Sequence, residues 1–279
     1  MRAADPYSAL MSEPDSSIGD LVRSWRRRRR LSQLDLAVEA EISQRHLSFV
    51  ESGRSRPSRD MVLHLAERLA VPLRQRNEML LAAGYAPAYR DRALDDPGLA
   101  AARHAVDLIL AGHEPHPALA VDRHWTLVSM NRSVAPLLAG VDAGLLEPPV
   151  NVLRLSLHPR GLAPRIANFR EWRAHILARL SQQIENSADR TLIALMEELK
   201  GYPVPPGAKP YGAGAAPALG GIAIPFALRT PGGVLSFLGT TTVFGTALDI
   251  ALSELAIESF FPADPETAAA MRLTVAAPD

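Results

Sequence analysis

Cysteine is missing from all 279 residues. That excludes disulfides, thiolate metal sites and cysteine nucleophiles, and it suits a reducing, cytoplasmic compartment. Long apolar runs are missing too. No stretch approaches the roughly 18 consecutive apolar residues that a membrane span requires, so no membrane partner is expected. The segment 1–16 is polar and lacks the apolar centre of a secretory leader, so it reads as a loose, disordered arm rather than a signal peptide. Catalytic signatures are equally scarce. There is no G-x-S-x-G elbow and no S-x-x-K with its partner motifs. The glycines Gly212, Gly214, Gly220 and Gly221 lie in a Pro/Ala-rich stretch and not between a strand and a helix, so a phosphate cradle is not expected there. His113, Glu114 and His116 are separated by Pro115 and followed by Pro117. They cannot form an i, i+4 helical pair, and no second cluster completes a metal site. These absences count against an enzyme tethered to another module, and the chain reads as a non-enzyme that needs neither metal nor cofactor.

Net charge is also absent, with 30 basic and 30 acidic residues, but the balance hides a division. Ser17–Arg76 holds 13 arginines against 7 acidic residues, a net of +6, which leaves −6 for the remainder. Arg26–Arg30 is an unbroken arginine run. A basic block inside a neutral chain points to a localised polyanion partner. Length and a 47% hydrophobic composition allow two packed domains.

In the basic block the apolar spacing predicts a first helix over about 18–29, with Ile18, Leu21, Val22 and Trp25 at i, i+3, i+4 and i+7. Arg26 falls next on that stripe. A charge at a core margin needs a partner, and Glu51 is the expected one; the alternative is that Arg26 snorkels to solvent. Ser32, with Asp35 three residues on, caps a second helix whose expected inward residues are Leu34, Ala37 and Val38. Ser43 caps a third, with Leu47 and Val50 inward. Two short helices joined tightly through Glu39–Ile42 predict a helix-turn-helix, whose second helix enters the major groove of double-stranded DNA. Gln44, Arg45, Ser48 and Phe49 then face base edges, where Gln suits adenine, Arg suits guanine and an apolar ring suits the thymine methyl. Gln33 and Ser43 lie at helix N-termini and Arg54, Arg56 and Ser58 in the loop beyond, positions that suit phosphate. Taken alone, the arginine run is an ordinary solvated basic surface.

On "LSQLDLA", "SQRHLSFVESGRSRPS" and "HLAERLAVP", residues 17–84 resemble the Xre/Cro-type helix-turn-helix family, which implies an all-α, five-helix, lambda-repressor-like domain. The family pairs a basic residue of its first helix with the glutamate that is here Glu51. It commonly has glycine where this chain has Glu41. If that position keeps a positive φ, a side chain there costs about 1 kcal/mol or somewhat more. "MLLAAGYAP", "ALAVDRHWTLVSMNR", "VNVLRLSLHPRGLAPRIANFREWRAH" and "GTTTVFGTALDIALSELAIESFFPAD" resemble a narrower group, the MmyB-like bacterial regulators. That resemblance implies a multidomain chain: a linker with a connecting helix over 85–112, then an α+β, PAS-like ligand-binding and dimerisation domain over 113–273. It also implies a fatty acid as one ligand class.

Read from the residues, the connecting helix spans 98–111 with Val106, Ile109 and Leu110 on one side. Two short strands follow in 118–131, then helices over 133–138, 165–183 and 191–200. Next come a loop over 202–221 and a hairpin turning at Thr230–Gly233. Pro225 marks the first hairpin arm as an edge or a bulge, and 248–262 reads as a third strand, because its apolar residues hold no clean helical stripe, with a helix as the alternative. Trp125, Trp172, Phe226, Phe237 and Phe244 are candidates to line an apolar pocket, with Asn131, Arg165 and Arg173 as polar anchors; an arginine there would suit a carboxylate. The same residues would also make a filled core. A homodimer is expected, because two recognition helices must meet two half-sites about 34 Å apart. The rival reading keeps DNA binding and makes the second domain a dimerisation or protein-partner module without a ligand.

Overall fold

The computed structural model describes residues 16–187, 189–210, 224–245 and 249–276. Most of the arm at 1–16 and of the loop at 202–221 therefore lies outside the described residues. The chain divides into two compact units, one of which holds residues up to Arg92 with Gln182–Ile193 and Leu248–Ile250; the other holds the rest.

Five helices build the first unit's N-terminal bundle: α1 (Ile18–Arg28), α2 (Gln33–Glu39), α3 (Gln44–Glu51), α4 (Arg59–Arg68) and α5 (Leu73–Ala82). Four of them open on a serine. Ser17, Ser32, Ser43 and Ser58 accept from the backbone N–H groups of Asp20, Asp35, His46 and Met61. Each cap satisfies a donor the helix cannot, worth about 1 kcal/mol. At α2 the device is a full capping box, because Asp35 returns a hydrogen bond to the Ser32 backbone. The core is Leu21, Val22, Trp25, Leu36, Ala37, Leu47, Leu65, Leu69, Met79 and Leu80 with their neighbours.

α2 is phased differently from the sequence expectation. Leu34 and Val38 are 55% and 68% exposed, and Leu36, Ala37 and Ala40 are buried instead. In seven residues two apolar stripes compete, and the stripe that contains Leu36 wins because it buries a leucine while keeping Ala37 at the crossing. Gly19 is a further contact residue. A Cβ there would sit 2.6 Å from the Val50 carbonyl oxygen and 2.8 Å from that of Glu51, so only glycine lets α1 and α3 approach this closely.

The second unit is α+β. A 3-10 turn at Pro97–Leu99 leads into α6 (Ala100–Gly112), which buries Val106 and Leu110. Ile109, expected on that side, is exposed. The strands are β1 (Ala118–Val121), β2 (Leu127–Met130), β3 (Phe226–Thr230), β4 (Gly233–Val243) and β5 (Ala256–Pro262). They form one antiparallel sheet in the order β2-β1-β5-β4-β3. β3 is an edge strand, with Pro225 just before it, as a residue without an N–H donor requires. Between β2 and β3 lie α7 (Val152–Leu157), α8 (Phe169–Ser187) and α9 (Arg190–Gly201). The predicted helix at 133–138 is a 3-10 turn at Ala135–Leu138, and the predicted strand at 248–262 divides into a one-turn helix α10 (Ile250–Ser253) and β5. Helix α11 (Pro265–Ala276) closes the described chain.

Alternation along the strands assigns the two faces of the sheet. Ala118 and Ala120 of β1 and Ile257 of β5 pack with Val106 and Leu110 of α6. Leu119, Glu258 and Phe260 face the other way, where a cavity lies.

Candidate DNA-binding surface and ligand cavity

Arg26 and Glu51 meet as a buried bidentate pair, with Nε to Oε1 at 2.6 Å and Nη2 to Oε2 at 2.9 Å. Glu51 also accepts from Gln33 Nε2 at 2.8 Å, and Arg23 Nε lies 3.6 Å from its Oε2. Arg23 donates to the Glu51 backbone carbonyl as well. Burial by itself would raise the Glu51 pKa. The hydrogen bonds from Arg26 and Gln33, with the charges of Arg26 and Arg23, outweigh burial and hold the carboxyl below its ordinary range. The far end of α3 is thereby bolted to α1 and α2.

At the near end, Gln44 and Arg45 are exposed, and Ser48 and Phe49 partly so. The Arg45 and Arg54 guanidinium carbons lie 5.3 and 6.0 Å from the Phe49 ring centre, so two cations flank one aromatic ring. The joint before α3 keeps Glu41 at φ 53°, the left-handed region that favours glycine.

Four residues expected at phosphate are tied into the domain. Ser43 caps α3. Gln33 spends its amide on Glu51. Arg56 donates twice to the Ala83 carbonyl, at 3.0 and 2.8 Å, and pins the loop to the end of α5. Ser58 caps α4. The arginine run is divided in the same way. Arg27 and Arg30 are exposed, but Arg26 is buried and Arg29 donates to the Leu69 and Ala70 carbonyls at 2.8 and 2.9 Å. Arg28 lies over the Trp25 ring, where burial and then neighbouring Arg29 pull its pKa down to about 10.

In the second unit a cavity of about 110 Å³ lies between the sheet, α7, α8 and the 3-10 turn at Ala135–Leu138. Trp125, Trp172, Phe226, Phe237 and Phe260 form its aromatic wall. Trp172 is fixed by its indole N–H, which donates to Ser156 Oγ at 2.9 Å, and by Phe226 at a ring distance of 4.9 Å. Trp125 sits at φ 66° in the turn between β1 and β2, a strained conformation for a bulky residue. Asp122 holds that turn. Its side chain accepts from the backbone of His124 and Thr126, both at 2.8 Å, and its carbonyl accepts from Trp125 N at 3.0 Å.

One polar group of the wall stands out. Glu258, on the central strand β5, is 6% exposed. Arg179 of α8 grips it through both terminal nitrogens, Nη1 and Nη2, at 3.1 and 2.9 Å. Thr241, opposite Glu258 on β4, donates to Glu258 at 2.9 Å and accepts from Arg179 at 2.9 Å. Arg179 also lies over the Trp125 ring, 4.9 Å from its centre.

The ligand-binding-domain model of the MmyB-like transcription regulators matches residues 102–273, more than half of the chain and all of this cavity. The chain belongs to that family. A helix-turn-helix domain model matches residues 17–79 and covers the Glu51 network and α3. No curated protein matches the chain. As an MmyB-like regulator it is a DNA-binding protein with a ligand-binding domain. No helix among its described residues is long and apolar enough to cross a membrane.

Four residues expected at the MmyB-like regulator's pocket have other positions. Asn131 is saturated by backbone: Oδ1 accepts from Ala118 N at 3.1 Å, and Nδ2 donates to the carbonyls of Leu110 and His116 at 3.1 and 2.8 Å. Arg165 donates to the carbonyls of Leu137, Ala139 and Arg229, and Arg173 to those of Leu199 and Lys200. Phe244 packs on the α6 side of the sheet. Each arginine sits where helix ends, turns and the edge strand β3 present backbone carbonyls, and those carbonyls take its donors. The two charged residues that do line the cavity, Arg179 and Glu258, were missed. Arg179 falls ten residues after Phe169 on the stripe of Phe169, Trp172 and Ile176, and Glu258 interrupts an apolar strand. The test applied to Arg26, a charge on a buried stripe that demands a partner, would have found both.

Proposed function

We propose that this regulator reads DNA with α3, through Gln44, Arg45, Ser48 and Phe49, and that its second domain holds a small apolar molecule that biases DNA binding. The sheet order β2-β1-β5-β4-β3, with helices inserted between β2 and β3, supports a PAS-like fold. The observation that carries the ligand reading is the cavity itself: tryptophans, phenylalanines and aliphatic side chains around one compensated ion pair. Such a wall, apolar with a few placed polar groups, is what small-ligand sites are built from.

Size limits the ligand. An engineered cavity of about 150 Å³ takes one benzene ring. About 110 Å³ is somewhat less, so a ring or a chain of around six carbons is the upper limit for the cavity as it stands, and a long fatty acid requires it to widen. We also propose a cytoplasmic homodimer. Leu108 and Ile109 on α6 and Val128 on the edge strand β2 are exposed apolar residues that support such an interface.

Native mass spectrometry of gently purified protein, with operator binding measured before and after the bound molecule is stripped, tests the ligand reading. A retained small mass whose removal changes DNA affinity supports it. A mass equal to the bare chain in every preparation, with no apolar compound altering DNA affinity, refutes it.

A further inference from the structure

The polar end of the cavity carries information about the ligand's head group. Glu258 and Arg179 compensate each other completely: two nitrogens on two oxygens, closed by Thr241 into a ring of three. The anion is the inner member, its side chain 7% exposed against 34% for Arg179. Trp125 lies against the guanidinium and limits its reorientation.

A carboxylate arriving at Arg179 would share that guanidinium with the Glu258 carboxylate. Two like charges at that separation repel strongly away from bulk water. Displacing Glu258 would leave a buried anion unpaired, which is costlier still. An ammonium head meets the mirror problem at Arg179. A hydroxyl or a primary amide meets neither, because it donates to the Glu258 oxygens, accepts from the guanidinium and leaves both charges matched.

We infer that the cavity selects a compact apolar molecule with an uncharged hydroxyl or amide head, and that Glu258 is the residue that rejects a free carboxylate. This rests on the cavity being the ligand site.

The test uses the full chain at neutral pH with three probes of one length: hexanol, hexanamide and sodium hexanoate. The chain has 3 tryptophans. Indole N–H resonances therefore report the two cavity residues, Trp125 and Trp172, with Trp25 as an internal control. Hexanol and hexanamide shift the Trp125 and Trp172 signals and bind about tenfold more tightly than hexanoate. Glu258→Gln keeps the shape, drops the charge, and closes or reverses that gap. Hexanoate binding as tightly as hexanol to the unaltered chain overturns the inference and leaves the cavity reading standing. A gap that survives Glu258→Gln overturns the role of Glu258. If none of the three probes moves either signal, the cavity reading falls and this inference with it. The comparison on the unaltered chain decides the head-group question even if the variant does not fold.

Discussion

Glu51→Ala should unfasten the helix-turn-helix. The change deletes both arms of the Arg26 pair and the Gln33 bond, at 2.6, 2.9 and 2.8 Å. It also leaves Arg26 buried without its carboxylate. Removing one member of a buried pair costs about 3–5 kcal/mol. A domain of this size has about 3–10 kcal/mol in total, so the variant domain is marginal or unfolded. For a small domain the melting point falls by about 4–8 °C per kcal/mol, which here means about 12 °C or more. Amide hydrogen exchange on peptides from 17–84 of the full chain reads the loss locally, with the second unit as control. The acid side gives a second signature. The Glu51 pKa is depressed in the fold, so its contribution is complete above the unfolded value of about 4.3 and disappears as pH falls through the folded value. The difference between wild type and Glu51→Ala should therefore shrink below about pH 4. A loss smaller than about 1 kcal/mol at neutral pH, within the range of a surface pair, would refute the reasoning. So would a difference that ignores pH. The double change Arg26→Met, Glu51→Leu should recover much of the loss, since apolar replacements of buried pairs are often neutral.

Other perturbations separate the remaining claims. Arg45→Ala should relax preference at one base pair of a selected operator, at about 1–3 kcal/mol. Arg54→Ala should weaken all duplexes alike and reduce the salt slope by about 1. Operator selection followed by salt titration distinguishes the two, and an unchanged preference after Arg45→Ala removes α3 from the groove. Glu41→Gly should stabilise the domain by about 1 kcal/mol, because φ 53° costs a side chain about that much; thermal melts that fall instead would show Glu41 to be favourable. Gly19→Ala should cost about 1–3 kcal/mol, since its methyl meets backbone oxygens that cannot yield. A neutral result would mean that α1 and α3 separate freely.

Much of the first unit was legible because local chemistry and packing agree there. Serine caps, short stripes and one stranded charge agree on the first three helices, and the family resemblance implies the full set of five. The misreading of α2 arose where seven residues offer two stripes and only the neighbouring helices decide between them. In the second unit, four of the aromatic residues singled out from the sequence, Trp125, Trp172, Phe226 and Phe237, lie on the cavity. The polar partners were illegible by residue type alone. Arginines at 165 and 173 have the same sequence appearance as Arg179, yet they serve carbonyls left over at turns and helix ends. Which arginine faces a cavity depends on strand register, here the placing of Glu258 opposite Thr241 and Leu119. That register follows from long-range pairing that no short window contains.

The bare backbone contact at Gly19 has an effect on evolution as well as on packing. Because α3, the helix proposed to read base edges, meets α1 at backbone distance beside Gly19, any tilt of α1 should swing the proposed reading residues with it. If α3 enters the groove as proposed, a screen for altered operator choice should therefore return substitutions in the first helix around Gly19 alongside those at the exposed residues of α3.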